Sequence, residues 1–319
     1  MTATQPMSTQ RQPRPSRGSA GFFSSARTFF LPVGEKLDPS GVRGYPIDMR
    51  IKADSLDAAA ACESPLHVVT LQYALGCYER WLHGEGDQWL DAAIRVGTHM
   101  VEHQEKDGSW LHLAPLPHTF PLPAPWRSAM AQGEAASLLV RLFIETRDEP
   151  FASSAVAALA PMYKTVAEGG VSAELDGGPW FEEYPSTPPS YVLNGAIFAL
   201  WGLRDAAVGL ADDAAARVFD DGTRTLARNL WRFDSGSWSL YSLYPHKVRN
   251  VASSFYHDLH TNQLEAMGKL CPLPEFKSTC QRWRTYSDSG LNQARAFAAK
   301  VRFRLMVPRR RLARTEASR

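Results

Sequence analysis

An acidic turn opening an amphipathic helical stretch recurs three times at intervals of about 60 residues, and this spacing restricts the chain to helix-pair architectures. The turns are Gly86-Asp87-Gln88-Trp89-Leu90, Arg147-Asp148-Glu149-Pro150-Phe151 and Ala211-Asp212-Asp213. Roughly twenty residues after each comes a Gly-bearing turn: Asp107-Gly108-Ser109-Trp110, Glu168-Gly169-Gly170 and Asp234-Ser235-Gly236-Ser237-Trp238. A helix pair with its loops fills about that length, so about 250 ordered residues accommodate about four pairs, as a solenoid, a toroid or an unclosed bundle. Between the turns the apolar period is helical. Met130, Gly133, Ala136, Ser137, Val140, Phe143 and Ile144 recur at about 3.6 residues across 130–144, and Val192, Leu193, Ala196, Ile197, Leu200, Leu203 and Ala207 do so across 190–208. Pro188-Pro189 precede the second stretch, where prolines suit a helix start.

Charge and composition remove several function classes. The 35 basic and 33 acidic side chains leave a net charge of +2, which excludes whole-surface electrostatic binding and a nucleic-acid partner. Cys62, Cys77, Cys271 and Cys280 form no C-x-x-C pair and no zinc spacing, so reduced, buried thiols are expected and no metal. No window reaches the roughly 18 apolar residues of a membrane span, and the first thirty residues lack a secretory signal. A cytoplasmic location is therefore expected. Residues 1–40 read as a disordered or extended tail, 41–300 as the helical domain, and 301–319, with Arg309-Arg310-Arg311, as a basic tail.

Three polar-aromatic clusters interrupt the helices. In Trp180-Phe181-Glu182-Glu183-Tyr184-Pro185, an extended backbone ahead of the proline would point Glu183 away from both Glu182 and Tyr184. Adjacent carboxylates among aromatics favour a raised pKa, which a general base near neutrality needs; a solvated loop with aromatic staples is the plainer alternative. The second cluster, residues 234–241, is a tight turn leading to Tyr241, which a surface hairpin would equally explain. In the third, residues 255–264, helical spacing places Tyr256, His260 and Gln263 on one face, and His257 and His260 could share a ligand. Without a third metal ligand at a recognisable spacing, a hydrogen-bonded substrate wall is the expectation there.

These clusters, taken in order, resemble the C-terminal catalytic domain of D-glucuronyl C5-epimerases. The resemblance rests on Glu182-Glu183-Tyr184-Pro185 through Leu193-Asn194-Gly195, Gly202-Leu203-Arg204-Asp205, Tyr241, Tyr256-His257, His260 and Asn262-Gln263-Leu264. Trp126-Arg127-Ser128-Ala129-Met130-Ala131-Gln132-Gly133 and Gly44-Tyr45-Pro46-Ile47 extend it upstream. It implies an all-α protein, an α/α toroid or incomplete barrel of about four helix pairs with short strand-like segments at a cleft. It also implies conversion of glucuronate to iduronate in a heparosan-like polysaccharide without a cofactor, and it is compatible with a homodimer. Carried over residue by residue, it makes Glu183 and Tyr256 the acid/base pair, with Tyr184 and Tyr241 at the reacting sugar. Its implied substrate wall comprises Glu182, Asn194, Trp126, Arg127, Gln132, Arg249, His257, His260, Asn262 and Gln263.

That chemistry asks for such a set. Loss of the proton at C5, α to a carboxylate, builds a dianionic enolate-like species, so one group must take a proton and another must return one to the opposite face. Donors or a cation must also meet the carboxylate. Lys247, Arg249, His257 and His260 are the sequence candidates, and Arg127 is the candidate to compensate for Tyr244, which stands where a family arginine would follow Tyr241. In eukaryotic members β-rich domains precede the toroid, and with about 45 residues ahead of it here the cleft wall and dimer contacts they supply are expected to be absent or replaced. The rival readings are a polysaccharide lyase, which shares the C5 abstraction, and a non-catalytic uronate-binding protein. A glycoside hydrolase lacks its second carboxylate at the required separation of roughly 5 to 9.5 Å.

Overall fold

The computed structural model describes residues 56–116 and 118–309. The 1–40 tail, the Gly44-Tyr45-Pro46-Ile47 motif, and Arg310 and Arg311 lie outside the described residues.

After a short helix α1 (Ala58–Cys62), eight helices follow as four consecutive pairs: α2 (His67–Leu82) with α3 (Gln88–Glu102), α4 (Ala129–Thr146) with α5 (Glu149–Leu159), α6 (Leu193–Gly209) with α7 (Asp213–Asn229), and α8 (Ser254–Leu270) with α9 (Pro274–Ser287). A further helix, α10 (Gly290–Met306), closes the described chain. All three acidic turns start helices, those of α3, α5 and α7. The repeat extends one unit further than the turns reveal, since Pro274 starts α9 with no acidic turn ahead of it. Helices α2, α4, α6 and α8 pack successively on one another, while α3, α5, α7 and α9 each lie against their own partner.

Burial follows this division. Helix α6 is buried almost continuously from Leu193 to Leu203, whereas α7 buries one stripe that includes Ala215, Phe219, Gly222 and Leu226. The predominantly apolar stretch in the sequence thus marks an inner helix and the amphipathic one an outer helix.

Small residues set the closest contact, between α4 and α6. A Cβ at Gly133 would come within 2.5 Å of the Ala199 Cα, and one at Gly202 would strike the backbone of Gly133. Just beyond this crossing, Arg141 of α4 and Asp205 of α6 form an ion pair of 2.5 Å with both side chains fully buried. Such a pair registers two helices strongly, because removing either partner strands a desolvated charge.

Two small antiparallel ribbons cap one end of the inner helices. The first joins β1 (Ser172–Leu175) to β2 (Gly178–Phe181) through Asp176-Gly177, both at positive φ, the signature of a tight hairpin. The second pairs β3 (Leu240–Ser242) with β4 (Asn250–Val251), and Ser242 also bridges Val192 just before α6. These ribbons carry the loop after β2 and Tyr241 to the ends of α6 and α8. Helix α10 packs against β4.

One boundary differs from the sequence expectation. Residues 301–306, read as tail, are the last turns of α10, with Phe303 only 1% exposed. The basic composition hid a helix that buries Ala296 and Phe303 on one side.

Candidate functional site

A cavity of about 330 Å³ opens where the two ribbons, α8 and α10 converge. Glu183, Tyr184, Tyr241 and Tyr256 all line it, together with Trp126, His118, Ser253, Asn250, Lys300, Phe303, Arg304 and Arg309.

Glu183 sits immediately past β2. Gly195, in the first turn of α6, makes room for it, since a Cβ there would collide with the Glu183 carboxylate. Asn194 Nδ2 donates to Glu183 Oε2 at 3.4 Å. The hydroxyl of Tyr241 donates to Tyr184, and that of Tyr184 donates to Glu183. Beyond Tyr241, the ring of Tyr256 stands edge-on at 4.7 Å. Glu183, Tyr184, Tyr241 and Tyr256 thus form one contiguous carboxylate-phenol cluster in the cavity. Burial, and next to it the Glu183 charge, push the Tyr184 and Tyr241 phenols well above their ordinary pKa, so both remain neutral hydrogen-bond donors at physiological pH. His118 stacks on Tyr184 at 4.7 Å and is pushed down to about 3 by burial and the neighbouring cations, so it faces the site as a neutral imidazole.

Glu182 and Glu183 diverge as expected, but Glu183 and Tyr184 line the same cavity. The chain bends at these two residues instead of running extended, so strict alternation fails. Glu182 is fully buried outside the cavity. It accepts from the Ser190 hydroxyl and backbone N–H and from the Tyr191 N–H, at 2.5, 2.7 and 3.0 Å. Desolvation raises its pKa to about 7, with those three donors opposing the rise.

The other sequence candidates divide sharply. Trp126 lines the cavity, stacked at 3.8 Å on His112. Asn194 reaches it through Glu183. Gln132 is spent on backbone groups, donating to the Gly108 and Ala158 carbonyls and accepting from the Trp110 N–H. Gln263 donates to the Asn194 carbonyl at 3.1 Å and fixes the start of α6. Arg127 turns away to Asp107 at 2.6 Å. The Nδ1 atoms of His257 and His260 both meet the Ser239 hydroxyl, at 2.8 and 3.0 Å, in a buried cluster beside Tyr241 and Tyr256. Asn262 lies on a separate surface cleft with Asp258 and Arg284. Arg249 and Lys247 are exposed and line no part of the cavity.

The cations that do line it are Lys300, Arg304 and Arg309, of which the sequence reading singled out only Arg309, as part of a basic tail. The signal was present: Lys300, Phe303 and Arg304 stand at i, i+3 and i+4, one face of a helix. Their placement in a basic, tail-like stretch masked it. No group of His, Cys, Asp and Glu among the described residues is arranged to hold a metal ion. All four cysteines are free thiols, Cys77 and Cys280 buried and Cys62 and Cys271 partly so. No described helix is long and apolar enough to cross a membrane.

The class defined by these features is a helix-pair scaffold with a carboxylate-phenol cavity at one end of its inner helices. A family model described as D-glucuronyl C5-epimerase C-terminus matches residues 88–285, and the chain belongs to that family. The D-glucuronyl C5-epimerase of Caenorhabditis elegans is 32% identical over 219 residues, covering 63% of this chain and 36% of that protein. An uncharacterized protein of Methanocaldococcus jannaschii is 28% identical over 143 residues, 44% of this chain and 45% of its own length. The chain spans less than half the length of these curated relatives.

Proposed function

We propose that the protein is a glucuronyl C5-epimerase that converts glucuronate to iduronate within a heparosan-like chain, with the four helix pairs forming an incomplete α/α toroid. The observation that carries this reading is the gathering of Glu183, Tyr184, Tyr241 and Tyr256 in one cavity, within the stretch matched by the family. In the proposed reaction the Glu183 carboxylate takes the C5 proton, the Tyr184 and Tyr241 hydroxyls turn from their resting acceptors to the developing oxyanion, and the Tyr256 hydroxyl returns a proton to the opposite face. Inversion needs two proton-transfer groups, because a single group on one face would regenerate the same epimer, and the cavity offers both a carboxylate and a phenol. Family membership favours this over a lyase, in which the second acid would serve O4, and over simple binding.

The test is incubation of the full chain with heparosan-type glucuronate oligosaccharides in heavy water. Deuterium at C5 with iduronate signals and no new chain ends is the expected outcome. Unsaturated uronate ends would reassign the protein as a lyase, and no exchange in folded protein would reject the epimerase reading.

A further inference from the structure

Helix α10 and the residues after it lie beyond the family match, which ends at residue 285. They nevertheless supply the whole cationic wall of the cavity: Lys300, Arg304 and Arg309. Lys300 is held in place, its Nζ donating to Asn250 Oδ1 at 3.0 Å and to the Val251 carbonyl at 2.7 Å. Both acceptors are neutral. The ammonium also lies 5.8 Å from the Tyr241 ring centroid, beside the carboxylate-phenol cluster. No carboxylate among the described residues pairs with Lys300, Arg304 or Arg309. Three cations gathered in one partly desolvated cavity repel one another, and an anionic ligand relieves that cost.

We propose that Lys300 and Arg304 form the carboxylate-binding subsite for the uronate, so that α10 carries the substrate's anionic group while the matched family core carries the proton-transfer groups. The inference rests on the proposed C5 chemistry for the identity of the sugar. Lys300 keeps its third N–H for the ligand, and Arg304 adds a planar donor fork suited to a carboxylate. In the cationic cavity Lys300 is pushed down to about 7, chiefly by burial and then by Arg304 and Arg309. The other groups facing it are Tyr241 from β3, Tyr256 and His260 from α8, His118 and Glu183 from the loops; the two histidines are held neutral by burial. A carboxylate arriving beside Lys300 favours its charged form, so binding takes up protons between about pH 7 and 8.

Binding of methyl glucuronide and methyl glucoside to the full chain, measured by calorimetry in buffers of differing ionisation heat, tests this directly. The wild type is expected to prefer the glucuronide by about tenfold or more, with proton uptake. Arg304→Gln, on the exposed side of α10, should reduce the preference with unchanged melting; Lys300→Met should abolish both preference and uptake. Equal affinity for the two glycosides in the wild type, or preference and uptake retained in both variants, would overturn the proposal. C5 exchange is read separately. Preference lost in the variants with no exchange in the wild type upholds the subsite and rejects the epimerase, and the converse pattern does the reverse.

Discussion

Two polar clusters are built from the same pair of elements, β3 with its approach and α8, and only one of them opens onto the cavity. Tyr241 and Tyr256 open onto the cavity, while Ser239 and His257, one or two positions away, close into the core behind them. What separates them is where the polar atoms are spent. His257 commits both ring nitrogens inside the protein, Nδ1 to Ser239 and Nε2 to the Trp283 carbonyl at 3.0 Å, and lies stacked at 3.8 Å on Trp238. The cavity cluster ends in groups that meet open space. A polar-aromatic motif in sequence therefore marks both a site and the brace that holds it.

The sharpest way to break this contrast is to show that both clusters do the same job. Glu183→Gln and Tyr256→Phe should each lower C5 exchange by about two orders of magnitude or more with near-normal melting. His257→Leu should instead destabilise the fold by about 2 to 4 kcal/mol, leaving Ser239 and Trp283 without their partner, with turnover per folded molecule largely retained. Denaturant midpoints alongside exchange rates separate the two effects. Loss of exchange in a fully stable His257→Leu would merge the clusters into one site.

The adjacent carboxylates give a second contrast, read through pH. Glu182 has its folded pKa raised to about 7 from the ordinary 4.5 of a glutamate, so the stability tied to its protonated form is present below about pH 4.5 and lost as pH rises through 7. Relative to the wild type, Glu182→Gln should gain on the order of 2 to 3 kcal/mol between pH 5 and 8. His257, lowered to about 4 by burial, has the opposite sign: its contribution is present above about pH 6.5 and lost as pH falls toward 4. Melting curves of Glu182→Gln across this range check the assignment, and a difference from wild type that does not change with pH would refute it.

How far the sequence could be read follows the same division between pattern and placement. The repeat and the helical period located α3, α4, α5, α6 and α7 because a buried face leaves a periodic trace in one dimension. Glu183, Tyr184, Tyr241 and Tyr256 were legible as a set through their family resemblance. What was not legible is where side-chain hydrogen bonds end. Nothing local distinguishes Gln132, which braces three backbone groups, from a sugar-binding amide, nor Gly202, which lets α6 approach α4, from a loop glycine. The cationic wall was missed for a related reason: Lys300 and Arg304 acquire meaning only when α10 folds back onto β4.

Arg127 gives the smallest effect and the cleanest control. Its sequence position beside Trp126 suggested a carboxylate contact, yet its guanidinium pairs with Asp107 at 2.6 Å, where both side chains are partly solvated. Its Nε also donates to the Ser109 hydroxyl at 3.0 Å, tying the turn after α3 to the start of α4. A partly exposed pair of this kind contributes less than about 1 kcal/mol. Arg127→Gln should therefore shift the denaturant midpoint slightly and leave both C5 exchange and the preference for glucuronide over glucoside unchanged. A drop in that preference comparable to the one expected for Arg304→Gln would return Arg127 to the site and move the carboxylate-binding wall from α10 to the start of α4.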